Sequence, residues 1–181
     1  MKMADGGFRP AYNVEFSAAT DSQVIVAVTV TTSGSDMGQL APLVEQVHER
    51  FGVYPPEVLN DGGFAKHEDI DAVSAPDKGC VVYAPVPEPK DPKQDRYAPH
   101  PGDSPAVLDW RTRMATAAAQ EIYQERAAVA ECVNAQARNR GLVRLLVRGV
   151  QKVKAVALWF AVAHNVMRAL SLRAAAAAAA G

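Results

Sequence analysis

The stretch Val58-Leu59-Asn60-Asp61-Gly62-Gly63-Phe64 sets one acid between an apolar run and a glycine pair. Asp-Gly is a common turn pair, because Asp tolerates the awkward backbone there and can bond it with its own side chain. A turn would by itself account for Asp61. Its position allows more. If the apolar run is a parallel strand, Asp61 stands at the carboxyl end, where open α/β sheets bind ligands. The two glycines after it remove side chains that would keep a ligand or a metal ion from the carboxylate. His67, Glu68, Asp69 and Asp71 crowd nearby, and a metal hydrolase using Asp61, His67 and Asp69 is one option. The plainer reading puts Glu68 and Asp69 in the first turn of a short helix, where negative charge is stabilised, and leaves His67 as an exposed histidine.

A second constellation is Tyr123, Arg126, Glu131 and Arg138, within YQERAAVAECVNAQAR. On one helix, Arg138 falls seven residues after Glu131, nearly two turns, so both project from similar faces. Glu131 has small or apolar neighbours (Ala127, Ala128, Ala130, Val133, Ala135), which places it near the packed side and in need of an arginine or a metal. The alternative is an isolated acid on a solvated helix, although such helices usually carry more charge.

The elements that must position these groups can be read from periodicity. Tyr12, Val14 and Phe16 alternate with polar residues, Thr20-Asp21-Ser22 turns the chain, and Val24 to Val30 is a β-branched run, which together predict an antiparallel hairpin. Ser35-Asp36 can cap a helix through Leu40, Leu43, Val44 and Val47, stopped by Gly52 and Pro55-Pro56. The Asp61 stretch then follows as the strand of a β-α-β unit, with a short helix over 67–73 and a strand over 80–84. Residues 85–105 hold seven of the twelve prolines and read as a loop or linker outside the core. Beyond them the pattern is helical and Ala-rich: 107–139 with a break near Ala115, then 142–147, then 149–173. The final run of alanines either extends the last helix or frays.

A composition of 49% hydrophobic and 22% charged residues is that of a soluble globular protein with one principal domain. Cys80 and Cys132 are too far apart for a CxxC pair and too few for a disulfide framework, so a cytoplasmic setting is expected. No secretory leader is legible at the start, and the longest apolar stretch, Ala155 to Ala163, falls short of the ~20 residues that cross a bilayer, so no membrane association is expected. The net charge of −1 conceals an asymmetry. Residues 1–110 carry 8 Lys and Arg against 17 acids, whereas residues 111–181 carry 11 against 3. After Glu131 there is no acid, and Arg138, Arg140, Arg144, Arg148, Lys152, Lys154, Arg168 and Arg173 follow. Charge alone allows either a polyanion partner or pairing with the acidic first half.

The succession of hairpin, helix, VLNDGGF, strand, Pro-rich insertion and helical signature, closed by Arg148-Gly149, Lys152-Val153 and Ala163-His164-Asn165, resembles the C-terminal part of the DDE transposases of bacterial insertion sequences. The likeness runs from about Tyr12 to Arg173. It implies an α/β, incomplete ribonuclease-H-like fold over residues 1–173, with the insertion at 85–105 and residues 174–181 as an alanine tail. It also implies Asp61 and Glu131 as the second and third catalytic acids and as ligands of Mg2+ or Mn2+. Tyr123, Arg126 and Arg138 match the accompanying signature, and with Arg140, Arg144, Arg148 and Lys152 they would hold DNA phosphates at transposon ends. The family's first acid lies on a central strand before the hairpin, and this chain begins at the hairpin; neither Asp5 nor Asp21 matches that motif. The expectation is therefore a transposase fragment, inactive alone, from a family that cleaves and joins DNA. A non-catalytic DNA-binding or regulatory remnant, forming homo-oligomers or mixed oligomers with an intact transposase, is the alternative.

Overall fold

The period-two alternation from Tyr12 produces the expected hairpin. In a computed structural model, which describes Gly7, residues 11–91 and residues 93–179, β1 (Asn13–Ala18) pairs antiparallel with β2 (Ile25–Thr31), with a register shift between Ser17 and Ala18. The chain packs as two compact units, Met1–Gly34 with Ala127–Gly181, and Ser35–Arg126. Each has its own buried apolar cluster.

In the first unit, β2 buries Ile25, Val28 and Val30 against helix α5 (Val150–Ala179). The helix offers Val153, Ala157, Ala161 and His164, a stripe at helical spacing whose small residues let the strand come close. Polar groups complete the contact. The Asn165 amide accepts from the Ile25 N–H and donates to the Ile25 carbonyl, both at 2.8 Å. Next to it, His164 Nε2 donates to the Gln23 carbonyl at 2.8 Å, and Arg168 Nε donates to the Ser22 carbonyl at 2.9 Å. The motif residues His164 and Asn165 therefore hold the hairpin turn. The alanine run continues α5 as far as Ala179. At 30 residues, α5 is long and apolar enough to cross a membrane by length and composition, which the stretch Ala155–Ala163 alone did not indicate. Its other side leaves Trp159, Val162, Val166 and Leu170 exposed.

In the second unit, helix α1 (Leu40–Phe51) starts later than the expected cap at Ser35-Asp36. Ser35 Oγ instead accepts from the Met37 N–H, and the Leu40 N–H is taken by the buried carboxylate of Asp69, at 3.2 Å. The acid read as a first-turn residue of helix α2 (His67–Val73) thus also satisfies an orphan donor of α1. Gly52 ends α1 with φ +72°, a left-handed conformation that suits glycine. Strand β3 (Glu57–Leu59) pairs parallel with β4 (Val81–Tyr83), Val58 opposite Val82. Helix α3 (Pro105–Met114) is capped by Ser104 and lays Trp110 into the core, with no exposed surface. Trp110 Nε1 donates to the Ala84 carbonyl at 3.0 Å, and Arg113 to the Val82 carbonyl at 2.9 Å. The core also encloses Cys80, whose thiol is pushed up to about 11 by burial. The break expected near Ala115 is present: Thr116 Oγ1 accepts from the Ala119 N–H, and helix α4 runs from Ala117 to Asn139.

Two expectations are corrected. Residues 142–147 form no helix. Gly141 and Gly149 at either end have φ of +89° and +93°, and Val143 and Leu146 are exposed, so no packing offsets the cost of nucleating so short a helix. The Pro-rich stretch is not a linker outside the core. Val86 is 2% exposed within the core, and Arg111 of α3 ties the segment down by donating to Asp103 and to the Arg96 carbonyl, each at 2.9 Å. Composition marks the segment as non-regular, which it is, but cannot show that it is anchored.

The Asp103–Arg111 pair is buried. Burial alone would raise the Asp103 carboxyl, but the His100 N–H and the Arg111 guanidinium outweigh it and hold Asp103 below the usual carboxylate range. A folded value below the unfolded one contributes stability above the unfolded value and loses it as pH falls through the folded one. Asp103→Asn should therefore cost on the order of 2–3 kcal/mol at pH 7. The difference from wild type should narrow below about pH 4. Urea unfolding at the two pH values checks both statements.

Candidate active site at the Asp61 strand end

Strand β3 ends at Leu59, and the Asn60 N–H still reaches the Tyr83 carbonyl of β4, at 2.9 Å. Asp61 is therefore delivered at the carboxyl end of a parallel strand, as the spacing implied. There it caps the single 3-10 turn Gly62–Phe64, its Oδ1 accepting from the Gly63 N–H at 2.9 Å. The turn reading and the functional position thus describe the same residue. The glycines have different roles. A Cβ on Gly63 would lie 3.0 Å from Asp61 Oδ1 and 3.3 Å from Asp36 Oδ2, whereas one on Gly62 would meet only Pro85, at 3.7 Å. Two carboxylates, Asp61 and Asp36, thus flank Gly63. In the sequence Asp36 reads only as a helix cap.

The other oxygen of Asp61 receives Arg126, whose Nη2 donates to Oδ2 at 3.0 Å. Tyr123, one turn earlier on α4, belongs to the same group. Burial raises its phenol above the ordinary value; the Arg126 charge opposes this and the Asp61 charge adds to it. Two residues of the helical signature therefore converge on Asp61 within Ser35–Arg126. Glu131 and Arg138 belong to the other unit, and both are exposed. For Glu131 this reverses the expectation of a packed side: Val129, Val133 and Ala137 form the buried face of α4 there. An Ala-rich helix offers small neighbours in every direction, so Glu131's surroundings in sequence do not identify its face. Arg140, Arg144, Arg148 and Lys152 are likewise exposed, the first three between α4 and α5 and Lys152 in the first turn of α5. Asp21 is exposed in the hairpin turn, and Asp5 lies outside the described residues.

Carboxylate oxygens are the right donors for Mg2+. As placed, however, both oxygens of Asp61 are engaged by N–H donors. Among the described residues, no group of three or more His, Cys, Asp or Glu side chains is arranged to hold a metal ion. This arrangement does not fit a divalent ion. The hydrolase reading on Asp61, His67 and Asp69 loses its support as well. Asp69 is occupied with the Leu40 N–H, and His67 stands edge-on to Trp110, ring centroids 6.1 Å apart.

Residues 89–170, a little under half of the 181-residue chain, match the family model described as a transposase DDE domain. The match supports a DDE transposase. It contains Tyr123, Arg126, Glu131 and Arg138, and Asp61 lies before it. Neither the comparison with curated proteins nor that with solved structures gives a match.

Gly63→Ala should disturb the Asp61 turn and cost about 1–2 kcal/mol, because the new methyl group meets two carboxylates. Gly62→Ala should be close to neutral. Chemical denaturation of the two variants side by side checks the distinction.

Proposed function

We propose that this chain is part of an insertion-sequence transposase that holds DNA through its basic C-terminal segment and does not cut DNA by itself. The match of residues 89–170 to a transposase DDE domain carries the reading, since DNA is the partner of that family. Charge supports it: after Glu131 there are eight Lys and Arg residues and no acid. The exposed Arg138, Arg140, Arg144, Arg148 and Lys152 can each neutralise a phosphate and release its condensed counter-ions. Such contacts position DNA without reading its sequence.

In this reading Asp61 and Glu131 are the counterparts of the family's second and third acids, and the α/β elements are those of an incomplete ribonuclease-H-like fold. Tyr123 and Arg126 act first on Asp61. The family's chemistry uses divalent metal, whereas Asp61 here already carries an arginine and a backbone N–H. That observation favours binding without cleavage over strand transfer. A second copy or an intact transposase is the protein partner this reading expects, and the cytoplasm its setting.

Fluorescence anisotropy with a short duplex of arbitrary sequence tests the binding half. If four or five phosphates are neutralised, log K should fall against log salt with a slope of about −4, and each Arg→Ala change among residues 138, 140, 144 and 148 should flatten it by about one. A slope near zero would sink the reading. The non-cutting half is wrong if purified chain cleaves or joins insertion-sequence ends in Mg2+ or Mn2+ and Asp61→Ala abolishes that activity.

A further inference from the structure

The contact between Asp61 and Arg126 joins two motifs 65 residues apart in sequence. A carboxylate that is to bind a divalent ion must present lone pairs and negative charge. Asp61 presents little of either: Oδ1 is taken by the Gly63 N–H at 2.9 Å, and Oδ2 by the Arg126 guanidinium at 3.0 Å. Asp36 Oδ2 would lie 3.3 Å from a Cβ on Gly63, so a second acid stands at the same turn. The positive group that meets Asp61 there is Arg126. The pair is not sealed in the interior: the Arg126 side chain is 26% exposed and that of Asp61 41%. Ion pairs with that much solvent contact are weak enough to exchange partners.

We propose that Arg126 is a built-in counter-ion of Asp61, holding the position of a divalent cation and keeping the chain from loading metal at this acid. The inference rests on the reading of Asp61 as a metal ligand of a transposase and adds to it what controls access to that ligand. Arg126 then has a positioning role toward Asp61 rather than a standing contact with DNA.

The test is Mn2+ binding by the full chain, followed through the paramagnetic resonance signal of the free ion, with circular dichroism to verify folding of every variant. Wild type should bind Mn2+ weakly, and Arg126→Gln about tenfold or more tightly, as one local positive charge is removed. Arg126→Lys keeps the charge and should stay within about threefold of wild type. The double variant Arg126→Gln, Asp61→Asn should return to weak binding, which assigns the gained site to Asp61. Equal Mn2+ affinity for wild type and Arg126→Gln overturns the proposal, as does Arg126→Lys binding as tightly as Arg126→Gln. Asp61→Asn in the wild-type background separates the two readings. If it weakens Mn2+ binding while Arg126→Gln changes nothing, Asp61 is a ligand and Arg126 does not guard it. If no variant's affinity depends on Asp61, the metal-ligand reading fails with it.

Discussion

A two-stranded sheet leaves the outward backbone groups of both strands without a neighbouring strand, and such groups cost free energy wherever water is excluded. Among the described residues there are two sheets, each two-stranded, and helical side chains stand in for the neighbour. The outward carbonyls of Val82 in β4 and of Ala84, just beyond it, are met by Arg113 and Trp110 of α3. On β2 the amide of Asn165 bonds both the N–H and the carbonyl of Ile25, as a strand would. The placement of Asp61 follows from this arrangement. Its strand is three residues long and is fixed through β4, which is fixed in turn by α3. Helix α3 is moored by Arg111 to the Pro-rich segment. A stretch of sequence with no regular structure thus contributes to where the acid stands.

The acid itself reconciles two readings that compete in the sequence. Asp61 makes a turn, and in doing so it fixes one carboxylate oxygen against its own backbone and leaves the other toward α4. The residue that arrives there is an arginine. The resemblance in sequence implies a phosphate for it to hold; the geometry gives it a carboxylate.

How much of this was legible depended on the range of the interaction. The hairpin, the parallel strand pair and helix α2 follow from periods of two and of 3.6 and from local turn residues. The cap on α1 was not legible, because its acceptor, Asp69, lies 29 residues away and looked sufficiently employed in its own helix. Nor could composition show Val86 reaching the core through a run of prolines. The closing motif enters the sequence reading through a resemblance, yet His164 and Asn165 serve the hairpin turn, a structural task that a sequence pattern does not reveal. Among the candidate site residues, Tyr123, Arg126 and Asp61 converge. Glu131 points to solvent on a helix whose alanines conceal which side is packed.

The two cysteines fall one in each unit. Cys80 is enclosed in the Ser35–Arg126 core, and Cys132, half-buried, shares contacts with Gln23 and Gln136 in the hairpin unit. Neither is bonded to another cysteine. The enclosed sulfur is thus a clock: the rate at which a small reagent reaches Cys80 reports how often the Ser35–Arg126 core opens, while Cys132, already in part accessible, reacts without opening and serves as the reference in the same unlabelled chain.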